Sequence, residues 1–147
     1  MRVKWFLTVL ERCRIAAAGI PDVVLIAERD QHVRGLQQHF LDKAGFKVEF
    51  ADDGLTALSV VQASKPALVV TEILIPKIDG LTLCRRIREN PVTQSIPVVV
   101  FSVLAAEARA LEAGATDFLR KPLIESVFLS VVQNAIGTPQ RGIQEFR

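Results

Sequence analysis

Two cysteines are all that the 147 residues carry, Cys13 and Cys84, far apart and forming no C-x-x-C pair. Reduced thiols in a cytosolic protein are the simplest account of them. No apolar run approaches the roughly 20 residues that span a bilayer, so no membrane span is expected. The net charge of +2 is too small to leave a nucleic-acid footprint. A G-x-G-x-x-G, a P-loop and a nucleophile elbow are all missing, which ranks a small α/β enzyme or nucleotide binder last. There is no internal repeat and no low-complexity tract. Half of the residues are hydrophobic and 23% are charged, enough apolar material for the core of one domain.

The basic, then apolar, start of the chain faintly resembles a signal peptide, but Glu11, Arg12 and Arg14 interrupt the apolar stretch too early. Val3, Phe6, Leu7, Leu10 and Cys13 fall at helical spacings instead. Residues 1–20 are therefore expected to be an N-terminal helical extension, with an amphipathic helix over about 7–18 that ends at Gly19. It packs on the body or frays; a partner-binding or membrane-surface helix is the sharper alternative. Residues 21–137 form the main domain and 138–147 a polar tail.

Within the domain, five short apolar segments alternate with five helical ones. Strands are expected over 23–27, 46–50, 67–71, 97–101 and 117–120, and helices over 31–44, from Gly54 to Lys65, 81–89, 105–113 and 124–136. Val33, Leu36, Phe40 and Leu41 are the expected inward positions of the first helix. Leu55, Ala57, Leu58 and Val61 hold that place in the second, and Val127, Phe128, Val131 and Val132 in the last. Asp30 is a plausible N-cap and Gly45 a stop. Continuous apolar strands with helical crossovers indicate a parallel sheet covered on both faces, a doubly wound α/β sandwich.

The segment Ala67–Gly80, ALVVTEILIPKIDG, organises the rest. A buried strand ends at a carboxylate, Glu72, and the Asp79-Gly80 turn signal opens a helix. In open α/β sheets ligands lie at the carboxyl ends of the strands. Other strands bring polar groups to the same edge: Glu28 and Arg29 after the first, Ser102 after the fourth and Lys121 after the fifth. Each alone has a bland explanation, as a cap, a loop hydroxyl or a solvated amine. Together they form a set that can bind a metal or an oxyanion.

These residues resemble the receiver domain of two-component response regulators, the CheY-like, flavodoxin-like phosphoacceptor module, over about residues 22–137. The resemblance implies a five-stranded sheet of order 2-1-3-4-5 in a three-layer α/β/α sandwich. The family's acidic pair is matched by Glu28 and Arg29. Its phosphoacceptor aspartate, in D-x-x-x-P-x-x-D-G, is matched by Glu72 in E-I-L-I-P-K-I-D-G. Its phosphate-contacting Ser/Thr and Lys-Pro are matched by Ser102 and Lys121-Pro122, and its switch aromatic by Phe118. Ala113-Gly114-Ala115 stands where the family carries Ala-Gly-Ala before the fifth strand.

Three departures bear on function. Glu72 is one methylene longer than aspartate, which moves the carboxylate by about 1.5 Å. Displacements of about 1 Å can cost 10²-fold in a positioned reaction. A glutamate there imitates a phosphorylated aspartate in part, with one negative charge instead of up to two. Arg29 replaces a carboxylate and cannot ligate Mg²⁺. It either stands in for the metal by pairing with Glu72 or Glu28, or points to solvent. Ala113 stands only eleven positions after Ser102, about one helical turn fewer than the family usually has. The fourth helical region is thus expected to be short and the signalling face altered.

The resemblance implies a stand-alone, cytoplasmic phosphorelay component, a pseudo-receiver acting as a protein-interaction module without catalytic residues. Its partners would be a histidine kinase or a downstream signalling protein, not nucleic acid or a membrane, and homodimerisation is left open. No cofactor and no metal are expected, Glu28 and Glu72 being the only ligands on offer. The alternative is a working receiver phosphorylated at Glu72 with weak Mg²⁺ dependence. Phe118 is either core or a rotameric switch; without phosphorylation it is expected to keep one rotamer.

Overall fold

A computed structural model describes residues 21–137. The helix expected over 7–18 and the polar tail from 138 lie outside the described residues. Elements alternate strictly: β1 Val23–Ala27, α1 Gln31–Lys43, β2 Lys47–Ala51, α2 Gly54–Ser64, β3 Leu68–Thr71, α3 Gly80–Glu89, β4 Val98–Ser102, α4 Glu107–Glu112, β5 Asp117–Arg120 and α5 Glu125–Gly137. The five strands form one parallel sheet in the order β2-β1-β3-β4-β5. That is the expected doubly wound order. Among the described residues no helix is long and apolar enough to cross a membrane.

The strand sequences explain who lies inside. β1, β3 and β4 are flanked on both sides and covered on both faces, so their apolar runs are buried throughout except for the half-buried Val23 that opens β1. β2 is an edge strand, and its alternation of Lys47, Val48, Glu49 and Phe50 leaves it half-buried. Two apolar layers result. Leu25, Val69, Val98 and Val100 face α2, α3 and α4, and pack with Ala57, Val61, Leu83, Ile87, Ala110 and Phe118. Val24, Ile26, Leu68, Val70, Val99 and Phe101 face α1 and α5, and pack with Leu41, Phe128 and Val132. The Phe101 and Phe128 rings meet at 6.3 Å between centroids, tilted by 44°. Burying each such ring is worth about 1.5–3 kcal/mol.

Three side chains expected inside are exposed: Leu36 at 48%, Leu55 at 45% and Val127 at 45%. The buried line of α1 runs through Val33, Gln37 and Leu41, four residues apart on one face, so Gln37 takes the place expected of Leu36. The Gln37 amide has no hydrogen-bond partner among the described residues. In α2 the buried line runs through Gly54, Ala57 and Val61, one step away from Leu55. In α5 it runs through Phe128, Val132 and Ala135. The helical period is set by the backbone, but apolar residues beside the core-facing line satisfy the same spacing rule.

Each of the first three helices begins on an aspartate. Asp30 accepts from the His32 and Val33 N–H, Asp53 from Thr56 and Asp79 from Thr82. α4 is six residues long and starts without a side-chain cap. Arg88, at the end of α3, ties down the segments around β4. Its Nε donates to the Gly114 carbonyl at 2.8 Å, and Nη1 donates to the Gln94 and Ile96 carbonyls at 3.1 and 2.5 Å.

Candidate functional site

The parallel ladders carry the polar residues to one edge in register. Ala27 pairs with Thr71, and the Glu72 N–H continues the ladder by donating to the Ala27 carbonyl at 3.0 Å, which sets Glu72 beside Glu28. Ser102 pairs with Arg120, and the Lys121 N–H donates to the Ser102 carbonyl at 2.9 Å. Residues that follow different strands thereby converge through the pairing of the strand residues that precede them.

Glu72 is the centre. Its Oε1 accepts from the backbone N–H of Ile73 at 2.5 Å and of Leu74 at 3.3 Å, and from the Ser102 hydroxyl. Its Oε2 lies 3.1 Å from Lys121 Nζ. The same ammonium lies 3.0 Å from Glu28 Oε1 and 3.2 Å from Glu28 Oε2. Glu28 Oε2 also accepts the Asp30 N–H at 3.1 Å, which fixes the carboxylate to its own loop. The side chains of Glu28 and Glu72 are only 4% and 7% exposed, and that of Lys121 15%. Ser102 is fully buried, and its oxygen accepts the Leu104 N–H at 3.2 Å.

Burial works against the Lys121 charge. The hydrogen bonds and attraction of Glu28 and Glu72 more than offset it, so the ammonium is held above the ordinary lysine range. Nζ also sits 5.5 Å from the centre of the Phe101 ring, a cation–π distance. The cluster holds two carboxylates and one cation.

Gly80 lets this site close. A Cβ there would meet the Glu72 carbonyl oxygen at 2.2 Å and Ile73 Cα at 3.0 Å. The Gly80 N–H donates to the Ile73 carbonyl at 2.9 Å, so the start of α3 is pressed onto the end of β3. On the other side of the loop, Gly54 donates to the Pro76 carbonyl at 3.1 Å, and its missing Cβ makes room for Ile78. Lys77 holds a left-handed φ of 74° in this loop. The Asp79-Gly80 pair reads in the sequence as a turn signal, whereas the glycine is needed for the close approach of two backbones. The Ile73 and Leu74 N–H donors carry no side-chain signal and were not among the expected site groups.

Sequence expectation and structure meet for Glu28, Glu72, Ser102 and Lys121, which form one connected cluster. Arg29 does not join it. It is exposed and makes no ion pair with Glu28 or Glu72 among the described residues. Of the two alternatives left open for Arg29 the solvent-facing one is found, and the carboxylates pair with Lys121 instead, which the β4–β5 ladder lays beside Ser102. Phe118 is buried on the α4 side of the sheet among Ala106, Ala110 and Ala113.

The arrangement does not suit a divalent cation. Mg²⁺ needs several oxygens in near-octahedral array, including one or two free carboxylates. Here the carboxylate oxygens of Glu28 and Glu72 face an ammonium, a hydroxyl or backbone N–H groups. Among the described residues no group of three or more His, Cys, Asp or Glu is placed to hold a metal ion.

Known proteins resemble this chain in sequence and in fold. The transcriptional regulatory protein CseB of Streptomyces avermitilis is 34% identical over 113 residues, which are 75% of this chain and 47% of CseB. The response regulator PleD of Caulobacter vibrioides is 30% identical over 115 residues, 76% of this chain and 25% of PleD. The chain thus spans half or less of these relatives. Among solved structures, the BeF₃-activated N-terminal receiver domain of Klebsiella pneumoniae RstA superposes with a TM-score of 0.73 at 29% identity, covering 80% of this chain and all of that one. The signal receiver domain of a histidine kinase from Syntrophus aciditrophicus does so with a TM-score of 0.74 at 28% identity, covering 86% of this chain and 95% of that one. The response regulator receiver domain model matches residues 24–133. On this sequence match and this shared fold, the chain belongs to the response regulator receiver domain family.

Proposed function

We propose that this chain is a pseudo-receiver, a protein-interaction module of two-component signalling that does not accept a phosphoryl group. One observation carries the proposal: the Glu72 carboxylate is already bonded to Ser102 and Lys121. Those are the two side chains that the resemblance assigns to phosphate contact. The extra methylene of glutamate brings the carboxylate within reach of the Ser102 hydroxyl, so the side chain occupies the place of the modification. A carboxylate committed to four donors is a poor nucleophile, since attack on phosphorus requires it to give up hydrogen bonds in a buried site.

The module is therefore held in one state by its own side chain, with Ser102 drawn to Glu72 and Phe118 buried. Its partner is a protein that reads this fixed surface, a histidine kinase or a downstream signalling protein. The short α4 belongs to that altered surface. Glu72 imitates the phosphorylated state only in part, with one charge and two acceptor oxygens.

Intact-mass measurement after incubation with a small phosphodonor and Mg²⁺ tests the proposal. The native chain is expected to gain no phosphoryl adduct, and the double variant Glu72→Asp with Arg29→Asp to gain one. A labile adduct on the native chain that disappears in Glu72→Ala would overturn the proposal in favour of a working receiver with an atypical acceptor.

A further inference from the structure

We infer that residues 7–18 form a helix that lies in the groove between β2 and α2 and covers the outer edge of the sheet. The inference goes beyond the proposed function and does not rest on it. β2 pairs with β1 alone, so its outer backbone edge faces no strand among the described residues. Proteins guard such edges against other chains, often by laying a helix or loop over them. An open groove of about 540 Å³ follows this edge, lined by Val48, Glu49, Phe50, Val60, Ala63 and Ser64. Val48 and Phe50 pack against the apolar layer facing α1, and Val60 against the layer facing α2. All three are only half-buried, so both layers reach solvent at this edge.

Where the chain enters the domain selects the occupant. A second groove of about 240 Å³ holds Pro21, Val23 and Lys65 and shares Glu49 and Ser64 with the first. The apolar edge is therefore continuous with the residue at which the described chain begins. Gly19 and Ile20 alone link residue 18 to Pro21. Three residue steps of extended chain reach about 11 Å at most, so a helix ending at 18 has its end beside this groove. The stretch 7–18 spans about 18 Å as a helix, and β2 spans about 17 Å. Leu7, Leu10, Cys13 and Ala17 fall on one face of such a helix, an apolar stripe for Val48, Phe50 and Val60. Charge fits as well. Glu49 makes no ion pair among the described residues. It lies two residues up the strand from Lys47, the partner of Val23, a rise of about 7 Å. Arg14, four residues before 18, rises about 6 Å along the helix, level with Glu49 and at the flank of the stripe. The tether gives the segment an effective concentration of about millimolar, which favours it over a second copy.

Cys13 is a native probe of this placement, since Cys84 is fully buried. Disulfide formation under mild oxidation is followed by mass and by non-reducing electrophoresis in the full chain carrying Val60→Cys, Ala63→Cys or Glu112→Cys. Val60 and Ala63 line the groove, whereas Glu112 lies on α4, beside β5 at the other end of the sheet. Val60→Cys and Ala63→Cys are expected to close an intramolecular bond to Cys13 at least about tenfold faster than Glu112→Cys. Ala63 and Glu112 are exposed, so that comparison stands even if Val60→Cys unfolds. Equal rates at the groove and at position 112 overturn the inference. A covalent dimer as the main product of the groove variants also overturns it, and assigns the groove to a second copy. Cosedimentation of the native chain with phosphatidylglycerol vesicles, with no intramolecular bond in any variant, overturns it in favour of a membrane-surface segment. A phosphoryl adduct on the native chain would instead sink the pseudo-receiver proposal and leave these rates standing.

Discussion

Ser102 donates its hydroxyl hydrogen to Glu72 Oε1, joining β3 to β4 beyond the last rung the two strands share, Thr71 with Val100. The bond is buried, and it depends on the length of the glutamate side chain. Glu72→Asp withdraws the carboxylate by about 1.5 Å and cannot hold Ser102 and the Ile73 and Leu74 N–H groups together. Either Glu72→Asp or Ser102→Ala is expected to destabilise the domain by about 1–3 kcal/mol, the range for a lost hydrogen bond to a buried charged group. Urea unfolding at neutral pH measures it. Combining the two changes should cost less than the sum, because they remove the same bond; strict additivity would show that the bond contributes nothing.

Lys121 and Glu72 differ in what their removal leaves behind. Glu72→Gln leaves Lys121 paired with Glu28, a neutral pair, and costs about 1–2 kcal/mol. Lys121→Met leaves two buried carboxylates without a cation, which costs about 3–5 kcal/mol. The lysine variant is therefore expected to melt well below the glutamine variant at pH 7, and the reverse order would contradict the bridging geometry.

At Gly80 a methyl group has nowhere to go. Its Cβ would lie 2.2 Å from the Glu72 carbonyl oxygen, a backbone atom that cannot swing aside. Gly80→Ala should cost about 3 kcal/mol, the upper part of the range for overpacking. Gly35 has nothing within 4 Å of a built Cβ and lies inside α1. There Gly35→Ala is expected to stabilise by about 0.5–1 kcal/mol through helix propensity. Thermal melts of the two variants should move in opposite directions.

The pH dependence has a limb at each end. Lys121 is held above its ordinary value, so its contribution is complete below about pH 10.4 and is lost as pH rises through the raised folded value. The backbone N–H of Val33 and then of His32 hold Asp30 below the usual carboxylate range, and the Thr56 N–H does the same for Asp53. Their contribution is present above about pH 4 and is lost as pH falls through the depressed folded values. Melting temperature should thus be nearly flat between those limits, and Lys121→Met should weaken the alkaline limb. A transition centred near neutral pH would exclude these groups as its cause. Burial pushes the Cys84 thiol up to about 11, so its alkylation should wait on unfolding rather than on pH in the neutral range.

What the sequence by itself determined is local and periodic. Alternation of apolar runs with helical spacing set the five strands and five helices, since backbone sterics allow only those two periods. Chain order and crossover handedness then set the parallel sheet, and the position of Glu28, Glu72, Ser102 and Lys121 just after or at their strand ends set the candidate edge. The phase of α1 was not legible, because Leu36 and Gln37 are neighbours and only packing against β2 and α5 decides which is buried. Nor was the partner of the carboxylates. Arg29 is next to Glu28 in the chain and yet stays in solvent, while Lys121, 93 residues away, bridges Glu28 and Glu72. That choice belongs to the tertiary structure, because ion pairing is settled by distance in space, and the β1–β3, β3–β4 and β4–β5 registers together bring those three side chains to one place.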